Sequence, residues 1–147
     1  DYSDDPKQMR KIIDPIVNDG FDCVLGVRTK SLRDKHSMTA HQIFGNWLAC
    51  LLMKIFFNST FKDLGPFRAI TWDKLMQLNM RDKTFGWTVE MQIKALMKKF
   101  KYKEIAVKYK KRIGKSKISG TLKGSILAGK KILYLIFKYY LKKQVRL

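Results

Sequence analysis

The sequence predicts a mixed domain, α/β or α+β, built from helices interleaved with short strands. Three observations carry this expectation. Apolar residues recur at helical spacing over several stretches, and short apolar runs bounded by charge or turn residues separate them. A length of 147 residues suffices for one domain with a core of its own.

The elements follow in order. Pro6 after Asp4 and Asp5 is a helix-start arrangement. Met9, Ile12, Ile13, Ile16 and Val17 then recur at helical spacing, and Asn18, Asp19 and Gly20 close that helix. Residues 21–27 (FDCVLGV) form a short apolar run bounded by charge, which predicts a buried strand. Residues 28–39 are polar and without period, as in a loop. Residues 40–57 are apolar almost all round and predict a buried core helix in preference to membrane insertion, since the run is short and interrupted by Asn46 and Lys54. A turn-rich connection from Asn58 to Pro66 leads to a short strand over 67–72 and a short helix over 73–78. Residues 85–100 predict a clearer helix, with Val89, Ile93, Leu96, Met97 and Phe100 as its apolar stripe. Residues 103–109 alternate as a strand does, with Ile105, Val107 and Tyr109 on one face.

The last segment, 121–143, is amphipathic. Lys123, Lys130, Lys131, Lys138 and Lys142 cluster on one side of a helical wheel, and Leu122, Ile126, Leu133, Ile136, Phe137 and Tyr140 on the other. That pattern fits an interfacial helix and a terminal helix packed on its own domain alike.

Charge separates this chain from an ordinary globular domain. Thirty-one Lys and Arg against twelve Asp and Glu give +19 and a pI near 10.1. Residues 1–22 hold six acids, whereas residues 101–147 hold fifteen bases and the single acid Glu104. Such polarity suits nucleic acid, an anionic membrane surface or a phosphorylated ligand. Cys23 and Cys50 are the only cysteines and read as reduced core thiols of a cytosolic protein. No secretory signal is visible, and the chain opens on Asp1 within an acid cluster, as a sequence beginning partway through a larger protein would.

Four segments carry candidate chemistry. Arg112 to Gly120 (RIGKSKISG) interleaves cations and hydroxyls, which bind phosphate oxygens, with glycines that admit close backbone approach. Gly114-Lys115-Ser116 imitates the end of a P-loop, but the glycine required five residues earlier is Tyr109. Asp1 to Pro6 gathers carboxylates that can hold Mg2+ or Mn2+, or simply cap a helix. Lys62 to Arg68 displays Asp63 and Arg68 either side of a rigid Gly65-Pro66 turn, or is an ordinary loop with an exposed ion pair. Glu90 enters an apolar helix, where it needs a partner or serves the helix dipole. His36 and His41 are too few for a zinc site with these cysteines.

In order and spacing, DYSDDP, VLGVR, HQIFGNWLA, DLGPFRAI, FGWTVEMQIKA and YKKRIGKSKISGTLKG resemble the family 2 glycosyltransferases. The resemblance is to the branch of dolichyl-phosphate mannose synthases and bacterial polyprenyl-phosphate glycosyltransferases, and it runs from Asp1 to about Leu133. It implies an α/β fold, the C-terminal portion of a Rossmann-like GT-A domain. Residues 1–120 would be its acceptor-side half, without the nucleotide-binding half, and residues 121–147 a basic, membrane-interfacial helix.

The resemblance further implies metal-assisted inverting transfer from a nucleotide sugar to a polyprenyl phosphate. Asp1 takes the place of the second acid of the DxD metal motif, with Ser3 as a further ligand of Mg2+ or Mn2+. Arg28, Arg68, Arg112, Ser116 and Lys117 fall where the family binds phosphate. His41 stands where relatives often place another arginine, and Pro66 departs from the usual Ser-Gly-Phe form. Asp63 and Glu90 are the candidate catalytic acids; a hydroxyl acceptor would need one as base, whereas a lipid phosphate is already anionic. The expected location is the cytoplasmic face of a membrane, as a peripheral protein, with no nucleic-acid partner. The competing expectation is a non-catalytic basic module binding anionic membrane or RNA through residues 101–147.

Overall fold

The computed structural model describes residues 2–114 and 122–145. A 3-10 turn at Pro6–Gln8, whose Asp5 side chain accepts from the Lys7 amide, leads into α1 (Met9–Asp19). Gly20 ends α1 in the left-handed region at φ 66°, which a side chain would resist. Strand β1 (Cys23–Val27) is buried along its whole length. Helix α2 (Ala40–Phe57) begins in a capping box between Thr39 and Gln42. Then follow β2 (Arg68–Ile70), α3 (Trp72–Leu78), α4 (Trp87–Met97), β3 (Tyr102–Ala106) and α5 (Leu122–Gln144).

The strand order is β2-β1-β3, with β2 antiparallel and β3 parallel to the central β1. Alternation along β1 divides the protein into layers. Cys23 and Leu25 face a core shared with Ala49, Met53 and Phe57 of α2, Val89 and Ile93 of α4, and Leu135, Ile136 and Tyr139 of α5. Helix α1 packs against the sheet and buries Ile12. A smaller cluster of Leu78, Met91, Ala95 and Phe100 joins α3 to α4. The mixed α/β architecture is thus a small sheet covered by helices.

Two helices differ from their expected burial. Helix α2 is not a core helix all round: Ile43, Phe44, Trp47 and Ile55 are exposed. Its buried side needs only Ala49, Cys50, Met53 and Phe57, because α4 and α5 cover no more than that face. Helix α5 packs on α2 and α4, yet Ile126 and Phe137 lie on its exposed side, among the lysines. Rings of α2 and α5 meet where Phe56 packs on Phe137 at 5.4 Å and on Tyr140 at 4.6 Å between centroids.

Candidate functional site

The site grows from the carboxyl ends of the parallel strands β1 and β3, where open α/β sheets place ligands. Arg28 follows β1 directly. Asp63 reaches it from the connection between α2 and β2 and accepts three of its hydrogen bonds: backbone N at 2.8 Å, Nε at 2.8 Å and Nη2 at 2.7 Å. Asp63 is buried and Arg28 partly so, with side chains 4% and 13% exposed. Burial works against the Arg28 charge, but the Asp63 bonds, with Tyr109, hold its pKa above the ordinary value. The guanidinium also lies over the Tyr109 ring, 5.2 Å from its centre.

The Asp63 loop is fixed from several elements. Leu64 N donates to Asn46 Oδ1 of α2 at 2.8 Å, and Gln92 Nε2 of α4 donates to the Asp63 carbonyl at 3.0 Å. Lys62 N donates to Glu104 Oε1 of β3 at 2.9 Å, and the Thr60 and Tyr102 hydroxyls lie 2.7 Å apart. Gly65 crosses β1 so closely that an added Cβ would lie 2.4 Å from the Gly26 carbonyl oxygen. Arg68 clamps the far end of the loop: Nε and Nη2 donate to the Gly65 carbonyl and Nη1 to the Thr88 carbonyl at 3.2 Å. Burial lowers its pKa to about 10, so it stays cationic at neutral pH. Arg68, expected at a phosphate, therefore has its fork on backbone carbonyls.

The N-terminal segment closes the same corner. Lys110 N donates to the Ser3 carbonyl at 2.8 Å, and Asp4 pairs with Tyr109 in an antiparallel bridge. Ser3 is buried. Burial raises the Asp4 pKa, opposed by Arg28 and reinforced by Asp63, and its Oδ1 has no hydrogen-bond partner among the described residues. Arg112 is half-buried in the irregular segment that follows Tyr109. Asp1, Ser116 and Lys117 lie outside the described residues. Among the described residues no three His, Cys, Asp or Glu side chains gather as metal ligands.

Arg28 also lines a groove of about 270 Å3 between the N-terminal halves of α2 and α5. His41, Asn46, Leu64, Thr88, Ile132 and Leu133 are among its walls. Small residues keep it open: Gly45 and Ala49 on α2, Ala128 and Gly129 on α5. A Cβ added at Gly45 or Gly129 would meet no atom within 4 Å. The groove is thus largely apolar, with the Arg28 guanidinium and a few polar side chains such as Asn46 and Thr88 among its walls.

Glu90 is not part of that corner. It is buried, and its carboxylate accepts from Asp82 N at 2.7 Å, Arg81 N at 3.1 Å, the Tyr139 hydroxyl at 2.6 Å and Lys94 Nζ at 2.8 Å. Burial alone would raise its pKa; Lys94, then Tyr139 and the backbone donors, bring it below the ordinary value. Beside it Asp82 accepts from Thr84, Gly86 and Lys131, and these donors overcome burial to lower its pKa to about 2.

Sequence reasoning missed Asn46, Gln92, Tyr109 and Tyr139 as parts of this machinery. The signal for the first and second was present, since a polar side chain inside an apolar helix needs a buried partner. Tyr109 and Tyr139 carried none, because an aromatic residue at such positions reads as core.

No family model matches the chain, and no solved structure matches it significantly. Among curated proteins it is similar to an uncharacterized glycosyltransferase of Mycobacterium bovis and to its counterparts in two strains of Mycobacterium tuberculosis. Each is 36% identical over 67 residues, which is 45% of this chain. The chain spans 31% of the length of these relatives, whose name gives the class glycosyl transfer and no sugar, metal or acceptor.

Proposed function

We propose that this chain forms the acceptor side of a family 2, GT-A-type glycosyltransferase that moves a sugar from a nucleotide sugar to a polyprenyl phosphate. The observation that carries the reading is Arg28, held by Asp63, in the wall of a largely apolar groove. A lipid phosphate needs both parts at once, a donor fork for its oxygens and an apolar channel for its chain. The similarity to glycosyltransferases supports the reaction class.

In this reading Arg28 orients the acceptor phosphate, and Asp63 holds the guanidinium in its planar, doubly bonded pose. Arg68 and Glu90 are positioning residues: the first shapes the Asp63 loop, the second anchors α5 to the loop before α4. An acceptor phosphate, already anionic, requires orientation more than deprotonation. Arg112, Ser116 and Lys117 would hold the phosphates of the leaving nucleotide. Mg2+ or Mn2+, with Asp1 and Ser3 as ligands, would offset the charge developing on that diphosphate.

The outer faces of α2 and α5 fit a peripheral location on the cytoplasmic leaflet. Both helices lack Asp and Glu, and they expose Phe44, Trp47, Ile55, Tyr134, Phe137 and Leu141 beside lysines. Among the described residues no helix is long and apolar enough to cross a membrane. Deleting α5 would take Leu135, Ile136 and Tyr139 out of the core, so the docking test replaces Trp47 and Leu141 by Glu instead. Binding to anionic vesicles should fall while thermal unfolding stays unchanged; equal binding by variant and parent would remove the docking face.

The activity test is a screen of nucleotide sugars with the full-length protein and two acceptors, a polyprenyl phosphate and the matching polyprenol. Transfer to the phosphate alone is expected. Transfer to the alcohol alone, or to neither, would overturn the acceptor assignment.

A further inference from the structure

A second cavity, of about 670 Å3, opens where α2, α4 and α5 end. It shares no described lining residue with the groove. On α5 the groove is lined by residues 125–133 and the cavity by residues 139–143. At 1.5 Å of rise per residue, the centres of these segments are roughly 18 Å apart.

The walls of this cavity are strongly basic. Arg81, Lys94, Lys98, Lys99, Lys142 and Lys143 line it, and no acid does among the described residues. Glu90, which Lys94 contacts, is already satisfied by Lys94, Tyr139 and two backbone amides. The other five cations have no ion pair among the described residues. Aromatic rings position some of these ammonium groups: Lys142 lies 5.8 Å from the Tyr139 ring centre and Lys143 5.8 Å from that of Phe57. Phe57, Leu78, Leu96 and Met97 supply apolar wall between the charges. Cations lining one cavity with no acid between them repel one another, and a multivalent anion relieves that repulsion while accepting their hydrogen bonds.

We propose that this cavity is an anion site for a phosphomonoester or pyrophosphate group, independent of the transfer site. The group can come from the headgroup of an anionic lipid, since exposed Ile55 and Leu141 belong to the same two helices, or from a free phosphorylated solute.

The test titrates the full chain with inorganic pyrophosphate by calorimetry. In parallel it measures binding to phosphatidylcholine vesicles carrying either phosphatidic acid or an equal charge of phosphatidylserine. Arg81→Gln with Lys98→Gln removes two exposed cavity cations. Lys11→Gln with Lys83→Gln removes the same charge elsewhere on the surface. The cavity variant should lose about tenfold in affinity and the control less than about twofold. Loss seen with pyrophosphate assigns a free solute; loss seen only with phosphatidic acid vesicles assigns the headgroup. Equal losses in the two variants, or none in either, overturn the site. Arg28→Lys separates the two proposals, because it should keep the fold and leave cavity binding intact even where transfer falls.

Discussion

Asp63 and Glu90 are both buried carboxylates bonded to a cation, yet they sit in different corners of the molecule. Asp63 grips Arg28, and that guanidinium lines an open groove. Glu90 grips Lys94, Tyr139 and two amides, with its carboxylate enclosed between α4, α5 and the preceding loop. A buried carboxylate alone says little about catalysis. The cations they hold face different spaces: Arg28 lines the groove between α2 and α5, and Lys94 lines the basic cavity where α2, α4 and α5 end.

Replacing Arg28 strains this contrast most. Arg28→Ala leaves Asp63 buried without its cation and removes the proposed phosphate donor. Transfer should fall by about 100-fold or more, and stability by about 3–5 kcal/mol. A transfer assay normalised to folded protein separates the two effects, and Arg28→Lys should recover stability better than turnover, since an ammonium lacks the planar fork.

Glu90→Ala should lower stability and leave turnover nearly unchanged. Removing a carboxylate that serves four donors should cost about 2–4 kcal/mol, read as a fall of at least about 5 °C in Tm. Turnover per folded molecule should stay within about threefold. A large loss of turnover with an unchanged Tm would return Glu90 to the chemistry.

Asp82 gives the smallest and most specific effect. Its folded pKa, about 2, lies below its ordinary 3.8. The stability this carries is present above the ordinary value and lost as pH falls through about 2. Asp82→Asn should cost about 1–3 kcal/mol at neutral pH, a difference that closes between pH 3.8 and about 2. A penalty independent of pH would assign the loss to shape, not charge.

The sequence made local structure legible where one period dominated. The helix closing at Gly20, the strand through Val24 and the helix carrying Val89 and Ile93 all follow from spacing and caps. Burial was less legible, because apolar periodicity does not reveal which neighbours arrive. Helix α2 reads as core throughout, yet Phe44 and Trp47 face outward since no element covers them. Arg28 and Asp63 could be singled out separately, but their pairing spans 35 residues and depends on a loop that crosses β1 at Gly65. Long-range juxtaposition of this kind leaves no local trace.

The most direct test of the central claim uses the groove, not the ion pair. Gly129 faces open space in α5 without a strained backbone, so Gly129→Leu should fill the groove at little cost to folding. Steady-state transfer from a nucleotide sugar to polyprenyl phosphate should then show an acceptor KM raised about tenfold, with the donor KM unchanged. An unchanged acceptor KM, or a rise confined to the donor, would contradict the assignment of this groove to the lipid.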